Sequence, residues 1–537
     1  MAGRIKMSDK TKFIFHIGGK KLSDVAALAE GYEYRHIEIS DYLRENLSQM
    51  QPMTNDQINN SNNVFLLSYE AMDQLNKLPL TELPNYQIFY EERSGINETE
   101  ASLLDIKGAQ KINLKDGGLE FCQFIAHNYA KPWGTSIDNS MVDINMDFDG
   151  SVTKKGSSMF TIDGKFGTDY IQIILWKNKF NASGSVSFYA EINHSESLSC
   201  FWRIYYKNDR NDNHINYKDV SSDQLKDGQA QLELGQSDFP VNFALFVKGE
   251  GRVDVGDIHI RYALPGKNFL AMGGRRLTQK SGMGEELGYY FNAGDLRPPL
   301  NVYFSGFRPS EGFEGRWMMG SLGSPFILVY DPRLVGGSFY RGEGLENQII
   351  EVIQDKLQQL GFSQHELILS GLSMGTYASF YYGAYLEPHA IIVGKPLANI
   401  GGLAINSRIF SPYDWDLAMD TIIHLKNKLT KSVATELDEE FWQVFEQADF
   451  SNTTFIIAHM LQDTDQPFNR IFNHLKKFYP TSKVLHKGLL GRHNDDTPGV
   501  TSWFYKQYQQ LLHSDFNRKI AGKEYDEIKN SSGEENE

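Results

Sequence analysis

One short stretch constrains the fold of this chain more than any other. Residues 367–383 read LILSGLSMGTYASFYYG, in which an apolar run leads into a G-x-S-x-G pentapeptide and then into a helix-compatible segment. A strand, a glycine-containing turn and a helix in this order are typical of a nucleophile elbow, which exposes a serine hydroxyl at the head of the helix. The stretch therefore predicts that Ser373 is a nucleophile. The alternative is an ordinary turn, because such a pattern also arises by chance in a chain with 47 glycines.

The size, charge and cysteine content of the chain restrict its class. A length of 537 residues is too great for one core and predicts two or three domains. The net charge of −15 argues against nucleic acid or an anionic membrane as the main partner, so we expect at most peripheral membrane association. Two cysteines, a polar N-terminus and the lack of a long apolar run predict a cytoplasmic protein without a disulfide framework or a metal site.

The pattern of apolar runs predicts three folded regions and a tail. Residues 1–138 alternate short strands with helical segments, which indicates a small α/β region. Residues 139–266 contain successive short strands separated by turn residues, which favours a β-sandwich similar to carbohydrate-binding modules. Residues 267–520 alternate buried strands with helices and predict a doubly wound, α/β-hydrolase-like sheet. Residues 521–537 are polar and acidic and are expected to be disordered.

Two features outside the hydrolase-like region could bind ligands, and a structural interpretation is favoured for both. Gly18–Lys20 follows the first predicted strand, but it lacks the spacing of a phosphate-binding motif and predicts a plain turn. The sandwich aromatics Trp176, Trp202, Tyr205 and Tyr206 could form a platform for a sugar. The favoured interpretation is that such side chains fill the sandwich core.

Loops that follow the late strands supply candidates for the acid and the base of a triad. Active sites of open α/β sheets lie beyond the carboxyl ends of the strands. Asp463 on such a loop is the preferred acid, and Asp465 is the alternative. His493, in the Gly-flanked loop after the last strand, is the preferred base. His459 and His486 lie within or at the end of strands, where a packing role is expected.

An oxyanion hole requires two backbone N–H groups, and the sequence offers one on each of two loops. Met374 directly follows the nucleophile, and Phe307 lies in the Ser-Gly-Phe loop after the strand at residues 301–304. That loop resembles the His-Gly-Phe loop of many α/β-hydrolases, with serine in place of histidine. Three arginines at the same edge could orient an oxygen-rich substrate, although solvent contact is expected of any one of them: Arg308, Arg333 and Arg341.

An insertion at residues 411–450 is rich in aromatic and acidic residues and is predicted to form a helical cap over the carboxyl edge of the sheet. A cap around Trp415 and Trp442 that excludes water and binds a sugar would favour acyl transfer. A simple esterase would use the same catalytic residues, with water as the acceptor.

Three motifs resemble those of a known family: GLSMG, LQDTDQP and GLLGRHNDD, all following a predicted sandwich. The chain is similar to the hydrolase-like subunit of the accessory Sec system of streptococci and staphylococci. The resemblance implies an O-acetyltransferase that modifies N-acetylglucosamine on serine-rich repeat adhesins and supports their export. It implies Ser373 as nucleophile, Asp463 as acid and His493 as base, with Asp465 still open as the acid.

The same resemblance implies partners and a place in the cell. The expected partners are two companion accessory Sec proteins, a motor ATPase and the glycoprotein substrate. The protein would be cytoplasmic and would reach the membrane through the translocase. An acetyl donor is required, and no other cofactor is expected. The alternative from a different class is a non-enzymatic export scaffold that binds the adhesin and its partners.

Overall fold

The computed structural model describes residues 12–22, 32–44, 63–114, 118–129, 133–145, 147–177, 180–208, 213–226, 228–410 and 415–519. These residues form one sheet of five strands and two sheets of eight. The acidic tail predicted at residues 521–537 lies outside them.

The first sheet is parallel, with the strand order β2-β1-β3-β4-β5. A backbone N–H of the turn after β1 already has a partner in the protein, because the N–H of Gly19 donates to the Glu70 carboxylate at 3.0 Å. This contact favours the plain-turn interpretation of Gly18–Lys20. The strands are β1 Lys12–Ile17, β2 Tyr32–Ile37, β3 Val64–Leu67, β4 Ile88–Glu91 and β5 Gln110–Ile112, and the helices are α1 Ile39–Arg44, α2 Tyr69–Met72, α3 Glu98–Ile106 and α4 Leu119–Asn128.

The second sheet folds around an aromatic core, as expected of a sandwich. Trp176 and Trp202 are 1% and 0% exposed, so they fill this core and are not available as a sugar platform. Tyr205 and Tyr206 are half-buried on an adjoining part of the sheet. The elements are β6 Gly134–Ile137, β7 Val142–Ile144, β8 Asp149–Lys155, β9 Met159–Trp176, β10 Phe180–His194, β11 Leu198–Tyr206, β12 Asn216–Ser221, α5 Ser222–Lys226 and β13 Ala230–Tyr262.

The third sheet has the order β14-β15-β17-β16-β18-β19-β20-β21. Strand β15 runs antiparallel to both of its neighbours, β14 and β17, and the pairs from β17 to β21 are all parallel. One crossover places β17 between β15 and β16, which is the arrangement of an α/β-hydrolase sheet, and the predicted fold class is confirmed. The strands are β14 Gly274–Thr278, β15 Glu286–Asn292, β16 Leu300–Phe304, β17 Phe326–Tyr330, β18 Leu367–Leu372, β19 Ala390–Gly394, β20 Thr454–Met460 and β21 Val484–Leu489.

Helices cover the third sheet and form a cap at its carboxyl edge. Helix α7 buries Leu345, Ile349, Ile353 and Leu357, the stripe expected of an amphipathic helix with a period of 3.6 residues. The predicted cap is helical, although residues 411–414 are outside the described part and its first helix already begins at Ile400. The helices are α6 Arg316–Ser321, α7 Leu345–Leu360, α8 Met374–Leu386, α9 Ile400–Phe410, α10 Ala418–Lys426, α11 Lys431–Gln447, α12 Phe468–Phe478 and α13 Thr497–Phe516.

The division of the chain at residues 138, 266 and 520 stays a prediction. Strand β6 pairs with β13, so the second sheet takes its first strand from before residue 139. Within the ranges that the structure describes, no helix is both long enough and apolar enough to span a bilayer.

Candidate active site

Ser373 lies in a strained turn between β18 and α8. Its backbone has φ 55° and ψ −121°, a region that non-glycine residues rarely adopt, and the surrounding structure must hold it there. Two glycines allow the close packing: a Cβ on Gly371 would lie 2.4 Å from the Gly375 backbone, and a Cβ on Gly375 would lie 2.0 Å from the Phe304 carbonyl oxygen. The Ser373 N–H donates to the Gly394 carbonyl at 2.8 Å, which ties the turn to β19. The turn has the geometry of a nucleophile elbow.

Ser373, His493 and Asp463 form a hydrogen-bonded series. The distance from Ser373 Oγ to His493 Nε2 is 2.7 Å, and that from His493 Nδ1 to Asp463 Oδ2 is 2.7 Å. A proton on Nδ1 faces the carboxylate, so Nε2 is left to accept the proton of the hydroxyl. The Asp463 side chain is 4% exposed, and its other oxygen accepts the N–H of Thr464 at 2.7 Å. These contacts fix the plane of the imidazole against the serine.

Asp465, the alternative acid, is used elsewhere. Its oxygens accept the N–H groups of Ala398 and Asn399 at 2.7 and 2.8 Å and the Asn399 side-chain amide at 2.7 Å. Burial raises the pKa of Asp465, and these donors partly offset the rise. The carboxylate therefore fastens the start of the cap to the loop after β20. Of the two candidates, the structure brings only Asp463 to His493.

The two competing histidines lie away from the serine, as expected. His459 stacks on Phe468 with ring centroids 4.0 Å apart, and burial lowers its pKa. His486 packs against the same phenylalanine at 4.6 Å. Both rings belong to the packing between β20, β21 and α12.

The loop at residues 305–315, called the oxyanion loop below, faces the elbow. Its base is fixed by the Tyr340 hydroxyl, which donates to the Ser305 carbonyl at 2.6 Å. The N–H of Gly306 is occupied, because it donates to the Glu314 carboxylate at 2.7 Å. Phe307 and Met374, the two predicted oxyanion donors, both line the cleft that contains Ser373.

The cleft above Ser373 has a volume of about 540 Å³. It is lined by the oxyanion loop, the elbow, the cap and the loops that follow β20 and β21. The residues that line the cleft from these elements include Phe307, Ser373, Leu403, Trp415, Thr464 and His493.

Lys395 and Glu314 line the cleft and were not predicted from the sequence. Lys395 follows β19 directly, is 4% exposed and donates to the Thr497 hydroxyl at 2.9 Å. Burial lowers its pKa, and the carboxylates of Asp463 and Asp496 partly offset the decrease. The position of Lys395 directly after a buried strand is a sequence feature from which it could have been predicted. Glu314 has no such signal, because it is brought in by the folding of a loop.

Two residues considered for ligand contact are buried inside the protein instead. Trp442 is 1% exposed and donates to the Asn399 side chain at 2.7 Å, so it is part of the cap's core. Arg333 is 2% exposed and ion-paired to Asp331 and Glu285, so neither a substrate role nor solvent contact fits it.

The other two arginines of that edge also have partners in the protein. Arg341 pairs with Glu346 at 2.7 Å and donates to the Tyr377 hydroxyl at 2.9 Å. Arg308 donates to the Gly312 carbonyl at 3.3 Å, within the oxyanion loop. Both contacts are internal to the elements that surround the cleft.

Comparison with known proteins agrees with this architecture. A family model described as "Accessory Sec system GspB-transporter" matches residues 12–518. An accessory Sec system protein of Staphylococcus aureus is 33% identical over 438 residues, covering 81% of this chain and 82% of that protein. Its counterpart in Streptococcus gordonii is 34% identical over 441 residues, covering 81% and 85%.

A solved structure also matches along almost the whole chain. It is a chain of the Glycosylation Associate Protein (Gap123) complex from Streptococcus agalactiae, with a TM-score of 0.79 and 31% identity, covering 95% of this chain and 99% of that one. The fold is therefore shared over all three sheets and not only over the hydrolase-like part. The family model and both relatives show that the chain belongs to the accessory Sec system family described as "Accessory Sec system GspB-transporter".

Proposed function

We propose that the protein is a serine-dependent O-acetyltransferase. The observation that carries the proposal is the hydrogen-bonded series from Ser373 through His493 to Asp463, placed on a strained elbow at the floor of a cleft. A hydroxyl, a base that can accept its proton and a carboxylate that orients the base are the parts that nucleophilic acyl transfer requires.

The first half-reaction acetylates Ser373. His493 Nε2 accepts the hydroxyl proton as Ser373 Oγ attacks the carbonyl carbon of an acetyl donor, and the negative charge develops on the carbonyl oxygen. The N–H groups of Met374 and Phe307 would donate to that oxygen. Collapse of the intermediate breaks the bond to the leaving group, which takes the proton from His493. The product is an acetyl ester on Ser373.

The second half-reaction transfers the acetyl group. An acceptor hydroxyl gives its proton to His493 and attacks the ester carbonyl, and collapse returns the proton to Ser373 Oγ. With a sugar hydroxyl as acceptor the reaction is an O-acetylation, and with water it is hydrolysis. Trp415 is a cap aromatic that lines the cleft, so it is a candidate to pack against the acceptor and exclude water.

Family membership supports a proposal for the acceptor and for the partners. The family model names a GspB transporter, and the related Streptococcus agalactiae chain was solved in a complex named for glycosylation. We therefore infer that the acceptor is N-acetylglucosamine on a serine-rich repeat glycoprotein. Two companion accessory Sec proteins and the motor ATPase would be its partners, with the protein in the cytoplasm and near the translocase. The acetyl donor is the only small molecule that the reaction requires.

The test is mass spectrometry of the adhesin's glycans from cells that carry the wild type, Ser373→Ala or His493→Ala. We expect acetylated N-acetylglucosamine in the wild type and its loss in both variants, because each removes one participant in proton transfer. Asp465→Asn serves as the control, since Asp465 fastens the cap and does not contact the base. Unchanged acetylation in both folded variants would contradict the proposal.

An export scaffold is the second candidate, and membership in a family named for transport favours it. Secretion of the adhesin in the same strains separates the two roles. Export without acetylation in Ser373→Ala would show that the scaffold works independently of the chemistry. Loss of both, with the variant folded and bound to its partners, would show that acetylation is needed for export.

A further inference from the structure

A cluster of buried charges joins the second sheet to the oxyanion loop. It consists of Glu311 on that loop, His259 and Arg261 on β13, and Glu286 on β15, and is called the Glu311 cluster below. The cluster lies outside the cleft, and the acyl-transfer steps above do not use it. Its side chains are between 0% and 2% exposed, so it is sealed from water.

Glu311 is held by two cations of the sandwich strand. Its Oε1 lies 2.6 Å from His259 Nδ1 and 3.1 Å from Arg261 Nη2, and its Oε2 accepts a further bond from Arg261 Nε. Its backbone N–H donates to the Gly134 carbonyl of β6 at 3.0 Å. One residue of the oxyanion loop is therefore tied to two strands of a different sheet.

The cations of the cluster are themselves fixed. Arg261 also pairs with Glu286, and its guanidinium lies 4.7 Å above the Phe269 ring. The Nε2 of His259 lies 3.4 Å from Glu191. Burial and the neighbouring Arg261 lower the pKa of His259, but Glu311 and Glu191 outweigh them and raise it to about 10. The ring is thus a second cation facing Glu311 at neutral pH.

Burying these charges between the oxyanion loop and the second sheet has a cost in free energy, because charged groups lose their hydration. Apolar side chains of similar volume stabilise a buried contact as well as or better than a buried ion pair does, because the charges must lose their water. What a buried, directional pair supplies is one defined geometry. That geometry acts on a loop whose residue 307, four positions before Glu311, is the second predicted oxyanion donor.

We propose that the Glu311 cluster positions the oxyanion loop, so that the sandwich holds Phe307 N–H where the developing oxyanion forms above Ser373. Glu311 and Arg261 are then positioning residues that act through the loop and do not touch the substrate. The inference rests on the proposed acyl transfer and adds to it a catalytic task for the sandwich. The base of the loop is fixed separately, where Tyr340 holds Ser305, and contacts within the loop include those from Gly306 to Glu314 and from Arg308 to Gly312.

The proposal predicts a specific kinetic signature. The oxyanion exists in the transition state and not in the bound ester, so a displaced donor lowers kcat while KM changes little. Loss of one oxyanion donor costs about 10²- to 10³-fold in kcat. A loosened loop should lose part of the stabilisation from this donor, so we expect kcat to decrease by at least about tenfold.

The experiment compares the wild type with Glu311→Gln, Arg261→Lys, Ser373→Ala and a control, Val247→Ala. Val247 is 0% exposed in the sandwich core on the same strand β13, so its truncation weakens the sandwich without touching the loop. Two quantities are measured on each full-length protein. One is kcat and KM for an activated aryl acetate, and the other is amide hydrogen exchange of residues 305–315.

We expect Glu311→Gln and Arg261→Lys to lower kcat at a similar KM and to speed exchange of residues 305–315. Val247→Ala should neither lower kcat nor speed exchange of residues 305–315, even if it lowers the thermal stability of the protein as much as Glu311→Gln does. If Glu311→Gln matches Val247→Ala in both measurements, the inference is wrong, whatever the activity of the wild type. If the wild type reacts no faster than Ser373→Ala, the proposed function fails and the positioning role with it.

Discussion

Asp463 Oδ2 lies 2.7 Å from His493 Nδ1, on the side of the imidazole that faces away from Ser373. The carboxylate is buried, and it accepts one further hydrogen bond, from the N–H of Thr464. The pair therefore selects one tautomer of the ring and one orientation of the base toward the serine.

The first prediction tests that pair with Asp463→Asn. The amide keeps the size of the side chain but can donate to Nδ1, which places the imidazole proton on the nitrogen that must accept from Ser373. The same change in serine proteases lowers kcat by about 10⁴-fold, and we expect a loss of that order in acylation of Ser373, measured with an activated acetate ester. Asp465→Asn should retain most of the activity. Equal losses in the two variants would contradict the assignment of Asp463.

The second prediction concerns the packing of the elbow. A Cβ on Gly375 would lie 2.0 Å from the Phe304 carbonyl oxygen, so Gly375→Ala must push α8 away from β16. We expect a loss of several kcal/mol in the free energy of unfolding, in the upper range for single substitutions. Gly361→Ala is the matched control, since Gly361 has φ 73° and open space around it and should cost only about 1–2 kcal/mol. Similar thermal stabilities of the two variants would rule out the packing argument.

The third prediction is a pH dependence that comes from His259. Its pKa is about 10 in the folded protein and about 6.5 in an unfolded chain, so the folded state binds the proton more tightly. The resulting stability is fully present below about pH 6.5 and is lost as the pH rises through 10. The free energy of unfolding should differ most between the wild type and His259→Gln near pH 6, and the difference should shrink toward pH 10. A difference that grows with pH would have the wrong sign.

The fourth prediction concerns the contact between the sandwich and the cap. Asp420 of α10 accepts the N–H groups of Ser157 and Ser158 at 2.6 and 3.1 Å, and it is 5% exposed. Asp420→Ala leaves these donors without an acceptor, which costs about 1–3 kcal/mol. We expect faster amide exchange at residues 157–158 and in α10, measured by mass spectrometry. Protection equal to that of the wild type would show that the contact does not hold the cap.

Much of the site could be predicted because its residues obey local rules. Ser373 is in a turn whose glycines are visible in the sequence, and Asp463 and His493 both follow buried strands of a parallel sheet. What the sequence left open was the choice between Asp463 and Asp465. That choice depends on which carboxylate faces the N–H groups of Ala398 and Asn399, and those groups are brought close only by folding.

The parts that sequence reasoning missed are those without a local signal. Strand β14 reads GRRLT and lies at the edge of its sheet, so it shows neither a buried run nor clear alternation. Strand β2, YEYRHI, is likewise half-polar and at an edge. The bond between Glu311 and Arg261 joins residues 50 positions apart, and no periodicity in the sequence relates them.

The central claim, that Ser373 is the nucleophile, is tested most directly by trapping the acyl enzyme. The purified protein is mixed with an activated acetate ester, quenched in acid, digested and analysed by mass spectrometry. We predict that one acetyl group is found on Ser373 in the wild type, that it accumulates slowly in His493→Ala and that it is absent in Ser373→Ala. Acetyl groups on surface lysines alone, with Ser373 unmodified in the folded wild type, would contradict the account.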